Sequence, residues 1–422
     1  LYGETGVTAQ LAVQDGGALV VKGNLTLGGS GESRVNRRGL LAIDGGTVTA
    51  GSITLSEPNE GEDARGLIGI NAAKVTEATT VIDQTNGTSL EGKVEITNLA
   101  DVFTVVYGED GDVSFVEKPA IAMIGENKYY SLDAAIEAAG TTSTTIDIVA
   151  DIDNAEVVTY NVPKNVSFRV KTAATIKNII FDGGNISRGT RMLNANGGVM
   201  TLENVTVRNC SSTYSGAAVY VLNGGTLIAT NCTFENNNAT TKSGGAIYTE
   251  NAASAITLTN CTVTGNKAVN YGGALYVNKG VLTINGGVIS NNSTSGQTTT
   301  SGDSTDYYGR GGAIYATNGA TLTIDGATLS GNNATHAAGG AVFVTGSATK
   351  AEIKNGTKFI GNKGGDSGSA LCVISSATVT VDGCLFENNA LTVSDTYGTI
   401  RNTGNTTITN TTIINNVSAK TG

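Results

Sequence analysis

Two sets of side chains in this sequence could do chemistry. Tyr220, Tyr248, Tyr276, Tyr315 and Phe343 recur at one place in a repeated phrase, and Cys372 follows in the same place. Asp303, Asp306, Tyr307, Tyr308 and Arg310 crowd the single stretch Ser293–Arg310. Tyrosine offers large contact area at low entropic cost plus one hydrogen-bonding tip, and arginine pairs with carboxylates. The chemistry of both sets is recognition, and the ten residues are candidate ligand-binding positions.

Residues suited to bond-breaking chemistry are sparser. His336, the sole histidine, falls in a predicted corner, where a surface role accounts for it. Gly365-Asp366-Ser367-Gly368 has the composition of a serine-nucleophile turn, but it occupies the repeat's own small-residue slot. Asp325 and Asp382 each precede glycine in corners, where turn formation explains them. Asp147, Asp151, Asp153 and Glu156 are the densest acidic group, yet they lack the glycine and terminal glutamate of a calcium loop. No Cys-x-x-Cys zinc spacing occurs. The reading is a non-enzyme with no catalytic residue, metal or cofactor.

The elements that must position these residues are repeats. Gly244-Gly245-Ala246-Ile247-Tyr248 returns at Gly272, Gly311 and Gly339, with weaker copies at Gly216, Gly368 and Tyr397, in steps of 28, 28, 39, 28, 29 and 29 residues. A second phrase, an apolar residue followed three positions on by Asn, keeps the same beat: Phe234/Asn237, Val263/Asn266, Ile289/Asn292, Leu329/Asn332, Phe359/Asn362, Phe386/Asn389 and Ile413/Asn416. Fixed-period self-similarity marks a solenoid. Alternating runs such as Leu282-Thr-Ile284, closed by Asn-Gly or Asp-Gly pairs, describe short strands between sharp corners. The class is therefore all-β: a parallel β-helix with coils of about 28 residues, three strands and three corners each. Every repeat position becomes a column, and the Asn column is expected to satisfy corner backbone groups by stacking amides. Alternation points the aromatic column outward, while the competing arrangement is an aromatic stack inside the coils. The 39-residue step makes Ser293–Arg310 an insertion, the usual home of function in a solenoid, and loop-closure entropy makes a functionless bulge equally tolerable.

The two interleaved phrases resemble the repeats of chlamydial polymorphic outer-membrane proteins and related bacterial adhesin-like proteins, over roughly residues 200–417. The resemblance implies a right-handed parallel β-helix, displayed at the bacterial cell surface, extracellular and adhesive. That family's C-terminal membrane barrel is not found up to Gly422. Ile124 to Ile136, containing Tyr129-Tyr130-Ser131-Leu132, resembles the lead-in to β-helices in surface proteins of Gram-positive gut-type bacteria.

Composition agrees with a β-solenoid: 39% hydrophobic, 15% charged, 57 Gly, 3 Pro and no Trp. The net charge of −10 and unclustered basic residues argue against nucleic acid as a partner. No apolar run is long enough to span a membrane. The chain begins at Leu1 without a visible signal peptide, and a slice or mature form of a longer protein is expected. Residues 1–118 carry their own beat, with Leu11/Val13 echoed by Leu41/Ile43, and end in a strand pair around Gly108–Gly111. Residues 119–140 hold a strand and one capping helix from Ser131 to Gly140, with Leu132, Ala135, Ile136 and Ala139 as its apolar stripe. Residues 141–422 form the main β-helix. Cys232 and Cys261 fill the same slot in adjacent coils, as stacked core residues or as a disulfide.

Three functions compete. The first is a non-catalytic adhesin or structural rod whose partner is a host or neighbouring-cell glycan or protein, or copies of itself as a filament. The second is a polysaccharide lyase or hydrolase. The third is ice or flat-surface binding by outward Thr columns, which Asn, Lys and Glu interrupt.

Overall fold

The structure, a computed structural model, describes residues 8–27, 38–55, 66–296, 299–301, 304–306, 308–393 and 398–418. It is a β-solenoid of about 14 turns with one α-helix, divided into two compact units, Leu1–Pro119 and Ala120–Gly422.

In the first unit, strands Thr8–Gln14, Arg38–Asp44, Gly66–Asn71 and Val94–Thr97 stack as one parallel ladder. Val13 pairs with Ile43 and Leu41 with Ile68, so the echoed apolar residues become neighbouring rungs of a core. A second ladder closes the coils, and the hairpin Phe103–Tyr107/Val113–Glu117 adds antiparallel strands to it. Much of the acidic stretch 56–66 lies outside the described residues.

The second unit opens with an antiparallel strand pair, Ala122–Ile124 and Asn127–Tyr129, followed by helix α1, Leu132–Ala139. Ser131 Oγ accepts from the Ala134 N–H at 3.1 Å, and Gly140 ends the helix at φ 57°. Leu132, Ala135 and Ala139 are buried in the same core as the first coils, and Ile136 packs partly buried against it. The helix thus covers apolar side chains that would otherwise meet water at the mouth of the coils.

The coils build three sheets of 12, 18 and 8 strands, in which nearly every strand pairs in parallel with its repeat copy. The 12-stranded sheet is edged by the antiparallel pair that precedes the helix. A coil has four strand segments, not three: Ile247–Thr249, Ala255–Thr259, Thr262–Thr264 and Lys267–Ala268, for example. The extra break comes from one left-handed residue, Asn231 (φ 54°) or Asn260 (φ 52°), which splits the long run.

Register explains the repeated phrases. In the Asn-Asn or Gly-Asn pair, the first residue is left-handed (Asn236, Gly265, Asn291, Gly331, Gly361; φ 55–65°) and turns the chain. The second is fully buried, and its side chain bridges coils. The N–H and Nδ2 of Asn237 both donate to Oδ1 of Asn266 at 3.0 Å, while Nδ2 also donates to the Val207 carbonyl at 3.0 Å. The same bonds recur down to Asn416. The double glycine is also dictated by stacking. A Cβ on Gly245, Gly273, Gly312 or Gly340 would sit 2.0–2.2 Å from a carbonyl oxygen of the next coil.

The lumen is apolar, with Phe359 stacked on Phe386 at 4.4 Å and 3°. Cys232 and Cys261 are buried free thiols. Arg188 is a buried cation whose guanidinium donates to the Val162 and Val166 carbonyls at 3.0 and 3.2 Å. It sits on the first rung of the third sheet, and its guanidinium supplies hydrogen bonds to two carbonyls of the preceding coil.

Candidate functional site

Along the first sheet, Asp147, Arg169, Asn194, Tyr220, Tyr248, Tyr276, Tyr315, Phe343, Cys372 and Arg401 form one column. Its neighbours on either side, Val219/Ile247/Leu275/Ile314 and Val221/Val277/Val344, fill the lumen. The aromatic column therefore turns away from the lumen, as strand alternation requires. It is nevertheless covered: Tyr220 and Tyr248 are 8% exposed, Tyr315 7% and Phe343 1%. The aromatics form a second, external core.

Within it the rings use their faces on one another. Tyr220 stacks on Tyr248 (5.4 Å, 11°) and Tyr315 on Phe343 (5.1 Å, 4°), while Tyr276 meets Tyr315 edge-on at 79°. The cover comes from the corner that precedes each glycine pair. Tyr271, next to Gly272, lies 4.7 Å from Tyr315 and 5.9 Å from Tyr276. Arg310, next to Gly311, lies over Phe343 at 5.1 Å. At the other end, Arg191 lies over Tyr220 at 4.0 Å and over Tyr214 at 4.9 Å.

The polar tips are shared between coils. Tyr220 and Tyr248 donate to the two carboxylate oxygens of Glu250, the latter at 2.6 Å. The two phenols hold the Glu250 carboxyl below its ordinary range. Burial pushes the hydroxyls of Tyr220 and Tyr315 up to about 12.

Of the insertion, residues Thr299–Ser301 and Ser304–Asp306 form a two-stranded antiparallel hairpin. Asp303, Tyr307 and the side chain of Asp306 lie outside the described residues. The foot of the insertion is well defined. Thr294 Oγ donates to the Gly309 carbonyl at 2.6 Å, and Gly309 N–H donates to the Asn270 carbonyl at 2.6 Å. Tyr308 packs against Tyr271 at 5.9 Å. Tyr308 and Arg310 therefore join Tyr271, Tyr276, Tyr315 and Phe343 in one half-buried cluster. Of the insertion's candidate residues, Tyr308 and Arg310 are thus brought to the aromatic column. Loop length alone is thus a poor guide to the cost of removing this insertion, because its foot is packed.

Sequence reasoning missed Tyr271, Tyr214 and Arg191. Tyr271 stands directly before a glycine pair, but only this copy of the repeat carries an aromatic there, so no column announces it.

Most of the other polar residues singled out in the sequence are engaged in ion pairs or corner hydrogen bonds. Asp147 pairs with Arg169 (2.9 Å) and Lys171 (2.8 Å), Asp153 with Lys177 (3.4 Å), and Asp151 accepts the Thr175 N–H at 2.6 Å. Asp325 accepts from Asn355 at 2.9 Å, and Asp382 from Thr409 and Asn410 at 2.6 and 2.8 Å. Ser367 donates to Asp366 and accepts from Arg401, both at 2.9 Å. His336 is exposed in a turn. Among the described residues, no helix is long and apolar enough to cross a membrane.

A family model described as a right-handed beta helix region matches residues 120–310. No curated protein and no solved structure matches the chain. With the ladders above, the match establishes the second unit as a right-handed parallel β-helix of repeated coils.

Proposed function

We propose that this β-helix is a non-catalytic display rod at a bacterial cell surface, and that it adheres through the aromatic cluster at the foot of its insertion. The observation that carries the reading is the convergence of Tyr271, Tyr308 and Arg310 on the Tyr276–Phe343 column. A stack of coils holds partly buried tyrosines and a guanidinium where the 28-residue step is lengthened to 39. Such a cluster suits a glycan or protein that offers hydroxyls and a carboxylate. The partner class is a glycan or protein on a host or neighbouring cell. The repeat's resemblance to chlamydial polymorphic outer-membrane proteins supports the adhesive role. The engagement of the coil carboxylates in corners and ion pairs supports a non-catalytic one.

The purified chain, incubated with pectin, alginate and mucin with and without Ca²⁺, is expected to release no new reducing ends or unsaturated products. It is expected to be retained on at least one of these supports or on cultured epithelial cells. Turnover of any of them would replace the adhesin by a polysaccharide-degrading enzyme.

A further inference from the structure

The outer face of the second sheet shows a pattern that the proposed adhesive role does not use. Strands Thr226–Thr230, Ala255–Thr259, Val281–Asn285 and Thr321–Asp325 lie in register on adjacent coils. Their first outward column is Thr226, Ala255, Val281, Thr321, and their second is Ile228, Thr257, Thr283, Thr323. Over these four coils neither column holds a charge. Ile228 is 36% exposed and Val281 38%. Interface centres are depleted of charge, and this run of uncharged, partly exposed and mostly β-branched residues on adjacent rungs has that composition.

Charge returns on the rungs either side. Val199–Glu203 precedes the patch and ends in Glu203, while Lys350–Lys354 follows it with Lys350, Glu352 and Lys354. Beside the latter rung is a shallow hollow of about 240 Å³ lined by Thr321, Thr323, Lys350, Glu352, Thr378 and Thr380 among others.

We infer that this face pairs with the same face of a second copy, about a twofold axis that runs along the strands between Ala255–Thr259 and Val281–Asn285. That rotation preserves position along the strand and reverses the order of coils. Ala255 then meets Val281, Thr257 meets Thr283, and Ile228 meets Thr323 at the hollow. Glu203 meets Lys354 at both rims. The two uncharged columns thus meet each other and Glu203 meets Lys354, while Lys350 falls opposite Val199 and Glu352 opposite Thr201. An isologous contact demands such self-matching at its centre. Six coils at about 4.8 Å by five residues at about 3.3 Å cover roughly 450–500 Å² per copy. That area is at the low end for a specific interface and implies a reversible, micromolar dimer.

Sedimentation equilibrium of the full chain tests this. A monomer–dimer equilibrium in the micromolar range is expected. Ile228→Lys and Val281→Asp should each weaken it by about tenfold or more, with unchanged melting temperature because both sites are solvent-facing. Lys354→Glu should weaken it several-fold, and adding Glu203→Lys in the same chain should restore it. Four results would overturn the inference: a monomer at all concentrations, a dimer indifferent to both face variants, a failed charge reversal, or a monomeric chain that uses this face on an ordered polysaccharide surface.

Discussion

Glu250 shows how a single residue can tie coils together. One carboxylate accepts two phenols, Tyr220 from the coil before and Tyr248 from its own. In glutamine one of the two terminal atoms only donates, so one phenol must either reverse its hydrogen bond or crowd onto the single carbonyl oxygen. Glu250→Gln is expected to cost roughly 1 kcal/mol or less at neutral pH, because the group is exposed and screened. The pH sign is fixed by the lowered carboxyl. Its contribution is fully present above the ordinary glutamate value of 4.5 and is lost as pH falls through the lower folded value. Thermal melts of both proteins from neutral to strongly acid pH should therefore converge at the acid end. A gap that persists or widens there would contradict the clamp. At this scale the sequence was partly legible. The Tyr column was visible because five coils repeat it, but its burial was not, because burial depends on Tyr271, Arg310 and Arg191, which occur once each.

Among elements, the Asn ladder is the most demanding. Asn332 Oδ1 accepts the N–H and Nδ2 of Asn292 (3.1 and 3.0 Å), and its own Nδ2 donates to the Ile289 carbonyl at 2.9 Å. Asn332→Ala would leave these buried groups without partners, at about 2–4 kcal/mol. Hydrogen exchange should accelerate first in the coils on either side, because solenoid stability is a sum of neighbour terms. Protection unchanged in those coils would mean that the ladder is dispensable. The ladder, the capping helix and the parallel coils could be read from the sequence, since each repeats or carries its own end signals. The fourth strand segment was legible only in part. Asn285-Gly286 and Asp325-Gly326 mark the break in their coils, but elsewhere it rests on a lone left-handed Asn231 or Asn260 inside a Thr-rich run. The uncharged outer face was hidden for a similar reason. Asn, Lys and Glu are scattered along the chain, and only the register places Lys350 and Glu352 beyond the two uncharged columns of the four coils.

For the whole molecule, the proposed function gives the coils the role of holding a partly buried aromatic cluster where the period is interrupted. That is why the foot of the insertion, and not its tip, carries the adhesive account. The direct measurement is attachment of beads bearing the full chain to cultured epithelial cells and to mucin- or pectin-coated surfaces. Wild type is compared with Tyr308→Ser/Arg310→Ala and with a variant lacking only residues 299–306. The account predicts that the double substitution reduces attachment at least several-fold while the melting temperature falls by only a few degrees. It also predicts that loss of the tip matters less than loss of the foot. Attachment unaltered by the double substitution, in a folded protein, would contradict it.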